Sequence, residues 1–199
     1  MEVLDWTKSI AIVFVITILI NVFIFEPYTV SGDSMLPNFH GANDYIEPKA
    51  TADRIILLKL PSLFNAKPSY EDVVIIDSRV TRTRTLKDEF IDNAIISRII
   101  GRSNENFYIK RVIGLPGDTL EYRDGKVYRN GELLEEDYIL EEMSVPFETI
   151  TVPEDHVYVM GDNRNFSKDS RSLGPIPLEN VRGEVMVRIY PFNRISVSF

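Results

Sequence analysis

The stretch Phe107-Tyr-Ile-Lys-Arg-Val-Ile-Gly-Leu-Pro-Gly-Asp118 joins a strand pattern to a turn. From Phe107 to Ile113, every residue except Lys110 and Arg111 is aromatic or β-branched, which is the composition of a buried strand. Because successive side chains on a strand point to opposite faces, the two charges must lie on different faces. The following Leu115-Pro-Gly-Asp118 predicts a turn. We therefore expect a covered strand that carries two charges in unusual surroundings.

Similar strand patterns lie on both sides of this stretch. Arg54–Leu60 and Asp72–Asp77 are too continuously apolar for exposed strands, which indicates a sheet covered on both faces. Asp124-Gly125 and Asn130-Gly131 predict two hairpin turns. The other expected strands lie near Thr119–Arg123, Lys126–Tyr128, Glu132–Leu134, Thr149–Val152, Val157–Met160 and Val185–Tyr190. The chain is thus predicted to be mainly β, as a sandwich or a partly open barrel.

One segment, within an expected variable insertion at residues 78–106, breaks the strand pattern. Its apolar residues recur at helical spacing, at Leu86, Phe90, Ile91, Ile95 and Ile99. Thr85 and Asp88 are spaced as a capping box, and Gly101 is placed as a stop, so the sequence predicts one helix from about Leu86 to Ile100. Its polar face carries both signs of charge, which favours a role in covering the sheet over membrane-surface or partner binding.

The N-terminal segment contains the longest apolar run. No charge occurs from Ile10 to Phe25, and Trp6 and Tyr28 flank the run as interfacial aromatic residues do. As a helix, the segment from Trp6 to Tyr28 covers about 33 Å, enough for a hydrocarbon core of about 30 Å. We interpret residues 1–28 as a tip and a transmembrane anchor, and residues 29–199 as the folded domain.

Two other interpretations of this run are weaker. A cleavable signal peptide needs a basic start and small residues before the cut, whereas Glu2 and Asp5 outnumber Lys8 and no Ala-x-Ala follows Phe25. A buried core helix normally keeps a polar stripe, and this run has none.

Composition excludes several classes of function. The chain has 199 residues, 30 acidic against 22 basic, and a net charge of −8, which argues against a nucleic-acid partner. It has no cysteine and only two histidines, so thiol catalysis and cysteine- or histidine-rich metal sites are not expected. No cofactor is implied.

A candidate nucleophile follows the anchor, in Ser31-Gly-Asp-Ser34-Met-Leu-Pro37. Glycine allows a substrate backbone to approach closely, and proline fixes the chain just beyond. Such a turn can present the Ser34 hydroxyl beside its own backbone N–H, which would serve as an oxyanion donor. An ordinary linker has the same composition, so this segment alone does not establish a site.

A serine nucleophile needs a base, and neither His40 nor His156 stands in a recognisable setting. A lysine can serve if burial lowers its pKa enough for the amine to be neutral near pH 7. Lys110 lies in an apolar strand and is the candidate, since Arg111 stays protonated in proteins. A lysine near an exposed strand end is an equally good interpretation of this residue.

The third candidate segment is Gly161-Asp-Asn-Arg-Asn-Phe-Ser-Lys-Asp-Ser-Arg171, which follows an expected strand directly. Polar loops at strand ends are where sites are built. A solvated loop is the simpler alternative. A calcium loop of the EF-hand type is excluded because its ligand spacing and terminal glutamate are missing.

In this order, the segments resemble the bacterial type I signal peptidase family, the membrane-bound serine-lysine proteases that remove signal peptides from exported proteins. The resemblance extends from the anchor to Pro191, and a single anchor is similar to the Gram-positive type. The matching segments are Ser31–Pro37, Asp53–Lys59, Tyr70–Ile76, Lys110–Asp118 and Gly161–Arg171.

The resemblance implies a role for each site residue. Ser34 would be the nucleophile, Lys110 the general base, and Ser167 a hydrogen-bond partner that holds the lysine amine in line. The pairs implied to brace the site are Asp162 with Arg111 and Asp169 with Arg171. The residues implied to contact substrate are Val30, Ser31, Gly32 and Asp33 as a strand edge and turn, with Met35 and Ile109 lining a small pocket for alanine.

Two features depart from the family pattern. Gly32 stands where some relatives have a serine that donates to the oxyanion, so the oxyanion hole of this chain would rely on backbone donors. Asn38 stands where threonine is usual, and the segments His40–Ala52 and Ser78–Asn106 are longer or less typical than expected.

The resemblance also implies a fold, a location and partners. The fold would be an N-terminal transmembrane helix, an antiparallel β-sheet catalytic core, a smaller variable β region and one inserted helix. The enzyme would be a single-pass protein of the cell membrane with its catalytic domain on the extracytoplasmic side, near the translocation channel, acting on preproteins after Ala-x-Ala type sites. The alternatives are a non-catalytic membrane-anchored peptide-binding β-domain and a self-cleaving repressor, and the anchor disfavours the latter.

Overall fold

The computed structural model describes residues 2–42, 51–59, 67–82, 84–101, 106–197 and 199. Its helices are α1 Glu2–Phe23, α2 Leu86–Ile91, α3 Ala94–Ile99 and α4 Ser170–Leu173, and single 3₁₀ turns span Arg164–Phe166, Leu178–Asn180 and Phe192–Arg194. Its strands are β1 Phe25–Thr29, β2 Arg54–Leu58, β3 Val73–Asp77, β4 Phe107–Gly114, β5 Thr119–Arg123, β6 Lys126–Arg129, β7 Glu132–Leu133, β8 Ile150–Thr151, β9 His156–Met160, β10 Ile176–Pro177 and β11 Val181–Tyr190.

The chain forms two antiparallel sheets, as the mainly β prediction requires. The larger sheet has the strand order β1-β2-β11-β3-β4-β9-β10, and the smaller one has the order β7-β6-β5-β8. The smaller sheet contains both predicted hairpin turns, with Asp124-Gly125 and Asn130-Gly131 at positive φ. Two strands, β1 and β10, were not predicted, because each contains a proline and lies at a sheet edge.

The expectation that the central strands are covered on both faces is confirmed. All five residues of β3 are buried. Val73 and Ile75 pack with Ile109 in one hydrophobic cluster, whereas Val74 and Ile76 pack in a second. A third cluster, which includes Leu120 and Val127 of the smaller sheet, joins the two sheets through Ile113, Tyr158 and Met160. The strand that carries Lys110 and Arg111 therefore lies inside the core.

The N-terminal helix is apolar and exposed, but it is shorter than predicted. Its segment Trp6–Phe23 is long and apolar enough to cross a membrane, and only 6% of that segment is buried. The prediction that the helix continues to Tyr28 is wrong, because β1 begins at Phe25 and pairs with β2. Pro27 explains the change, since proline cannot continue a helix interior but is tolerated in an edge strand. Tyr28 packs against the core instead of marking an interface.

The predicted helix Leu86–Ile100 is two short helices, α2 and α3, separated at Asp92 and Asn93. The capping box of Thr85 and Asp88 is present as predicted. The break has a physical reason, because the Asn93 side chain donates to the backbone oxygen of Asn21 in α1, at 3.1 Å. The pair packs on the end of α1 and on β1, which is an edge strand of the larger sheet, so the part of the sheet that it covers is this edge.

Buried charges join the end of α1 to the sheet. The Lys59 amine donates to the carbonyl oxygen of Val22 at 2.7 Å and to Glu26 at 3.1 Å. Arg182 donates to the same Glu26 carboxylate at 3.0 Å. Glu89 of α2 lies 2.5 Å from the Lys59 amine and so adds the helical pair to the network. Because an unpaired charge would be costly here, these contacts fix the elements relative to one another.

Replacing Arg182 with methionine is expected to reduce the free energy of unfolding by about 3–5 kcal/mol, because the buried Glu26 loses a charged partner. The measurement is chemical unfolding in detergent. The matched control is Arg123→Met, whose guanidinium pairs with Glu121 at the surface and whose loss changes stability little. Equal effects of the two substitutions would contradict this account of the network.

Candidate active site

Ser34 lies in a tight turn that follows β1. The turn is closed by hydrogen bonds from the Leu36 N–H to the Asp33 oxygen, at 3.2 Å, and from the Phe39 N–H to the Met35 oxygen, at 2.8 Å. Gly32 precedes the turn at a φ of 73°, a conformation that favours glycine. Among the described residues, the Ser34 N–H has no hydrogen-bond partner. The turn thus leaves a hydroxyl and an adjacent backbone donor available to a substrate carbonyl.

The Lys110 amine meets the Ser34 hydroxyl. It donates to Ser34 Oγ at 2.8 Å and to the Ile109 carbonyl oxygen at 2.7 Å. Lys110 comes from the middle of β4, which pairs with β3 and β9, and its residue is only 2% exposed. Two residues that sequence patterns singled out independently, 76 positions apart, are therefore brought into direct contact.

Burial lowers the pKa of Lys110 to about 8, against the opposing influence of Asp169 and Asp162, and Arg171 adds to the lowering. An amine with this pKa is neutral in an appreciable fraction of molecules near neutral pH. A neutral amine at hydrogen-bond distance from a hydroxyl can accept its proton. The pair therefore has both the geometry and the proton affinity of a nucleophile and its base.

Ser167 does not make the expected hydrogen bond. Its hydroxyl oxygen is buried and has no hydrogen-bond partner in the described part of the chain, so the predicted contact with the Lys110 amine is absent. The amine is instead satisfied by Ser34 and by the Ile109 carbonyl. Ser167 does lie beside the site, because it packs against the α-carbon of Gly161 on the side where Ser34 also approaches.

Gly161 is the point where the third segment touches the nucleophile turn. A β-carbon at this position would lie 2.3 Å from Ser167 Oγ and 2.4 Å from the backbone oxygen of Ser34. Such distances are impossible for real contacts, so only glycine allows this approach. The Asn163 N–H donates to the same Ser34 oxygen at 3.1 Å. The loop thus holds the backbone of the nucleophile directly.

Both predicted bracing pairs are formed. Arg111 donates twice to Asp162, at 2.8 and 2.7 Å, with both side chains buried. Arg171 donates twice to Asp169, also at 2.8 and 2.7 Å. Burial alone would raise the pKa of Asp169, but the hydrogen bonds from Arg171 hold that pKa below its usual value. The Asp169 carboxylate also accepts the Gly161 N–H at 3.0 Å, so its charge orders the loop.

Three further residues support the turn without having been predicted to do so. Asn38 donates to Asp162 at 2.8 Å, so the residue that departs from the family pattern still connects the turn to the Arg111 pair. Asn163 donates from its side chain to the Asp33 oxygen at 3.1 Å. Arg164 donates to the oxygen of Gly161, the residue that contacts the turn, at 3.1 Å, and forms a buried pair with Glu136 at 2.6 Å. The polar composition of Gly161–Arg171 indicated that Asn163 and Arg164 could belong to the site. Their hydrogen-bond partners are decided by the packing of the fold, which the sequence does not show.

The residues expected to contact substrate form one edge beside Ser34. Met35 and Ile109 belong to the same hydrophobic cluster as Val30. The backbone of Val30 and Gly32 already pairs with Ala42, through hydrogen bonds of 3.0 and 3.1 Å. Ser31 has no such bonds to the described residues, so its N–H and carbonyl oxygen face the other way, as alternation along a strand requires. With respect to the described residues, Ser31 therefore keeps its edge open for an added strand.

In the described part of the chain, no group of three or more His, Cys, Asp or Glu side chains is arranged to hold a metal ion.

Comparisons with known proteins identify the family of the chain. Residues 3–190 match the family model described as signal peptidase, peptidase S26. The chain belongs to this family. It is therefore a serine peptidase of the signal peptidase family, and its single apolar N-terminal helix fits membrane anchoring.

Named relatives span bacteria and plants. Signal peptidase I of Bacillus licheniformis is 33% identical over 202 residues, which cover 96% of this chain and 90% of that protein. Thylakoidal processing peptidase 1 of Arabidopsis thaliana is 33% identical over 181 residues, 91% of this chain but 46% of the plant protein. The crystal structure of a signal peptidase I from Enterococcus faecalis is 31% identical, with a TM-score of 0.43, and the match covers 60% of this chain and 97% of the other.

Substituting Gly161 with alanine is expected to lower kcat of this peptidase about a hundredfold, because a shift of about 1 Å in the nucleophile has an effect of that size. The new methyl group must displace the Ser34 backbone or Ser167. Steady-state cleavage of a preprotein in detergent measures the effect.

The control for this substitution is Gly131→Ala in a hairpin of the smaller sheet. Gly131 has a φ of 85° but no atom within 4 Å of an added β-carbon, so alanine there introduces backbone strain without touching the site. An unchanged kcat in Gly161→Ala, or an equal loss in Gly131→Ala, would show that the close approach at Gly161 does not position the nucleophile.

Proposed function

We propose that this peptidase removes N-terminal signal peptides from exported preproteins by means of a Ser34/Lys110 dyad. The observation that carries the proposal is the contact of 2.8 Å between the Lys110 amine and Ser34 Oγ, made in the core by a lysine with a pKa of about 8. Membership of the signal peptidase family supports the substrate class. No histidine takes part, because the base in this arrangement is the amine.

In the proposed reaction, the neutral Lys110 amine takes the proton of Ser34 as Oγ attacks the scissile carbonyl carbon. The carbonyl oxygen becomes an oxyanion, which is stabilised by the Ser34 N–H, a donor with no partner among the described residues. The ammonium then gives its proton to the leaving amine, the peptide bond breaks, and an acyl-enzyme remains. The amine next takes a proton from water, whose oxygen attacks the ester, and returns it to Ser34 as the signal peptide leaves.

The substrate is proposed to bind as an extended strand along Ser31, the residue with an open edge. The buried Met35 and Ile109 would form the floor of a shallow pocket, which limits the side chain before the cut to a size like that of alanine. Ala-x-Ala type sites are the resulting expectation. Asp33 and Gly32 shape the turn that carries the chain from this edge to the nucleophile.

Ser167 is proposed to help position the amine in the substrate complex, even though the hydrogen bond is absent without substrate. Its buried hydroxyl oxygen has no hydrogen-bond partner within the described residues, so it is able to accept a hydrogen bond from Lys110 once Ser34 has attacked. The Asp162 and Asp169 carboxylates stay paired with their arginines throughout.

The enzyme is proposed to be a single-pass membrane protein with its catalytic domain on the extracytoplasmic side, near the translocation channel, where signal peptides emerge. The exposed apolar segment Trp6–Phe23 supports the anchoring. An anchor confines enzyme and substrate to one surface and raises their effective concentration.

Cleavage of a purified preprotein with an Ala-x-Ala site tests the dyad directly. Ser34→Ala and Lys110→Ala are each expected to abolish cleavage, because one removes the nucleophile and the other the base, and mass spectrometry of the native products should place the cut after the alanine. Lys126→Ala, at an exposed lysine of the smaller sheet, is the control and should cleave normally. A native chain that binds the preprotein without cutting it would instead support the peptide-binding alternative.

The pH dependence tests the lysine as base. Because the neutral amine is the active form, kcat/KM should rise with pH, by about tenfold per unit below the pKa, and level off above about pH 8. The direction follows from the lysine losing its proton as pH rises. A profile that is flat down to pH 5 would contradict the proposed base.

A further inference from the structure

We propose that the helical pair α2–α3 is a second membrane contact, which lies in the headgroup region of the lipid bilayer beside the anchor. The proposal rests on the anchoring of α1 under the proposed function, and it assigns a lipid surface to a segment for which the sequence favoured a different role. The occupant is the bilayer itself, because the pair is continuous with the helix that enters it.

The first step is the position of the pair along α1. Phe90 of α2 meets Phe23, the last residue of α1, edge to face with ring centroids 5.0 Å apart. Asn93, between the two short helices, donates to the oxygen of Asn21. The charge network of Lys59 and Glu89 ties α2 to the same turn, through the Val22 oxygen. The pair is thus attached to the last turn of the anchor by apolar, polar and ionic contacts.

The second step is depth. The apolar segment Trp6–Phe23 has 18 residues, which as a helix span about 27 Å, slightly less than the roughly 30 Å of a hydrocarbon core. A span this short needs its whole length to cross the core, so Phe23 must lie at the hydrocarbon boundary. Residues bound to Asn21 and Phe23 are therefore held in the interfacial layer. The short helix α3 is only about 9 Å long, so its far end stays within about one headgroup depth of Asn93.

The third step is charge. Mixed charges on this segment argued against a membrane surface at the level of sequence, but the structure turns the acidic side chains inward. Asp88 pairs with Arg82, Glu89 with Lys59 and Arg84, and Asp92 with Arg79. All three acids are largely buried, whereas Lys87 is exposed. Because the acids are neutralised by the domain, they do not repel anionic lipid.

The fourth step is the exposed apolar surface. Ile99 is 79% exposed, Ile100 52% and Phe90 38%, all within one short segment. Exposed aliphatic and aromatic side chains beside a cationic one are the composition of an interfacial helix. Because Phe23 lies at the hydrocarbon boundary, these side chains reach the acyl region of the bilayer. The ion pairs of the acidic side chains stay within the folded domain. The consequence is that the domain has two attachments and a fixed tilt relative to the membrane.

Tryptophan fluorescence tests the contact, since Trp6 is the single tryptophan of the chain. In a Trp6→Phe background, Ile99→Trp places a reporter on α3 at a highly exposed position, where folding does not depend on the native side chain. In vesicles of phosphatidylcholine and phosphatidylglycerol, its emission should shift to the blue relative to that of a tryptophan-containing peptide in water. Lipids brominated near the glycerol end of the acyl chain should quench it strongly. Lipids brominated near the chain end should quench it weakly.

The matched control is Leu133→Trp in the same background, an exposed apolar position on the smaller sheet. It should be quenched by neither lipid. Quenching of the native Trp6 separately reports insertion of the anchor, so the two claims are distinguishable. An unquenched reporter at position 99, together with quenching of Trp6 in the native chain, would overturn the second contact while leaving the anchor. Equal quenching at positions 99 and 133 would also overturn the second contact.

Discussion

The position of the Lys110 amine beside Ser34 depends on removing that amine from water without giving it a permanent counter-ion. The central strands provide the burial, because β4 is paired on both edges and covered on both faces. Two carboxylates lie near enough to raise the pKa of the lysine, yet each is already bound by its own arginine. Arg111 and Arg171 neutralise these carboxylates, so burial has the larger influence on the pKa of the Lys110 amine. The bracing pairs are therefore electrostatic partners of the site as well as supports.

The nucleophile is held from the opposite direction by the segment Gly161–Arg171. This segment contacts the turn through its backbone: Gly161 lies against the Ser34 oxygen, and the Asn163 N–H donates to it. Asp169 fixes the segment by accepting the Gly161 N–H and by capping α4. Because backbone groups have fewer degrees of freedom than side chains, this contact sets the position of Ser34 more firmly than a side-chain hydrogen bond would.

The same use of paired buried charge recurs where the anchor meets the domain. Lys59 donates to a carbonyl oxygen at the end of α1, where unpaired helix carbonyls favour a cation. The positive charges of Lys59 and Arg182 are balanced by the carboxylates of Glu26 and Glu89. β1 follows directly, and its chain continues through Val30 to the nucleophile turn. The apolar N-terminal helix, the helical pair and the active site are thus parts of one connected framework.

The two bracing pairs were implied by the resemblance to the signal peptidase family. The amino-acid sequence by itself determined the mainly β class, the apolar N-terminal helix, most strands and the identity of the candidate nucleophile and base. These follow from local patterns: apolar runs, glycine turns and charged residues in improbable surroundings, such as Lys110 within Phe107–Ile113. Tertiary structure alone decided the 2.8 Å contact between Ser34 and Lys110, the pairing of β1 with β2, the break at Asn93 and the absent Ser167 hydrogen bond. Each of these depends on a partner distant in the chain, such as Asn21 for Asn93 or β2 for β1, and no local pattern encodes which distant groups will satisfy a given polar atom.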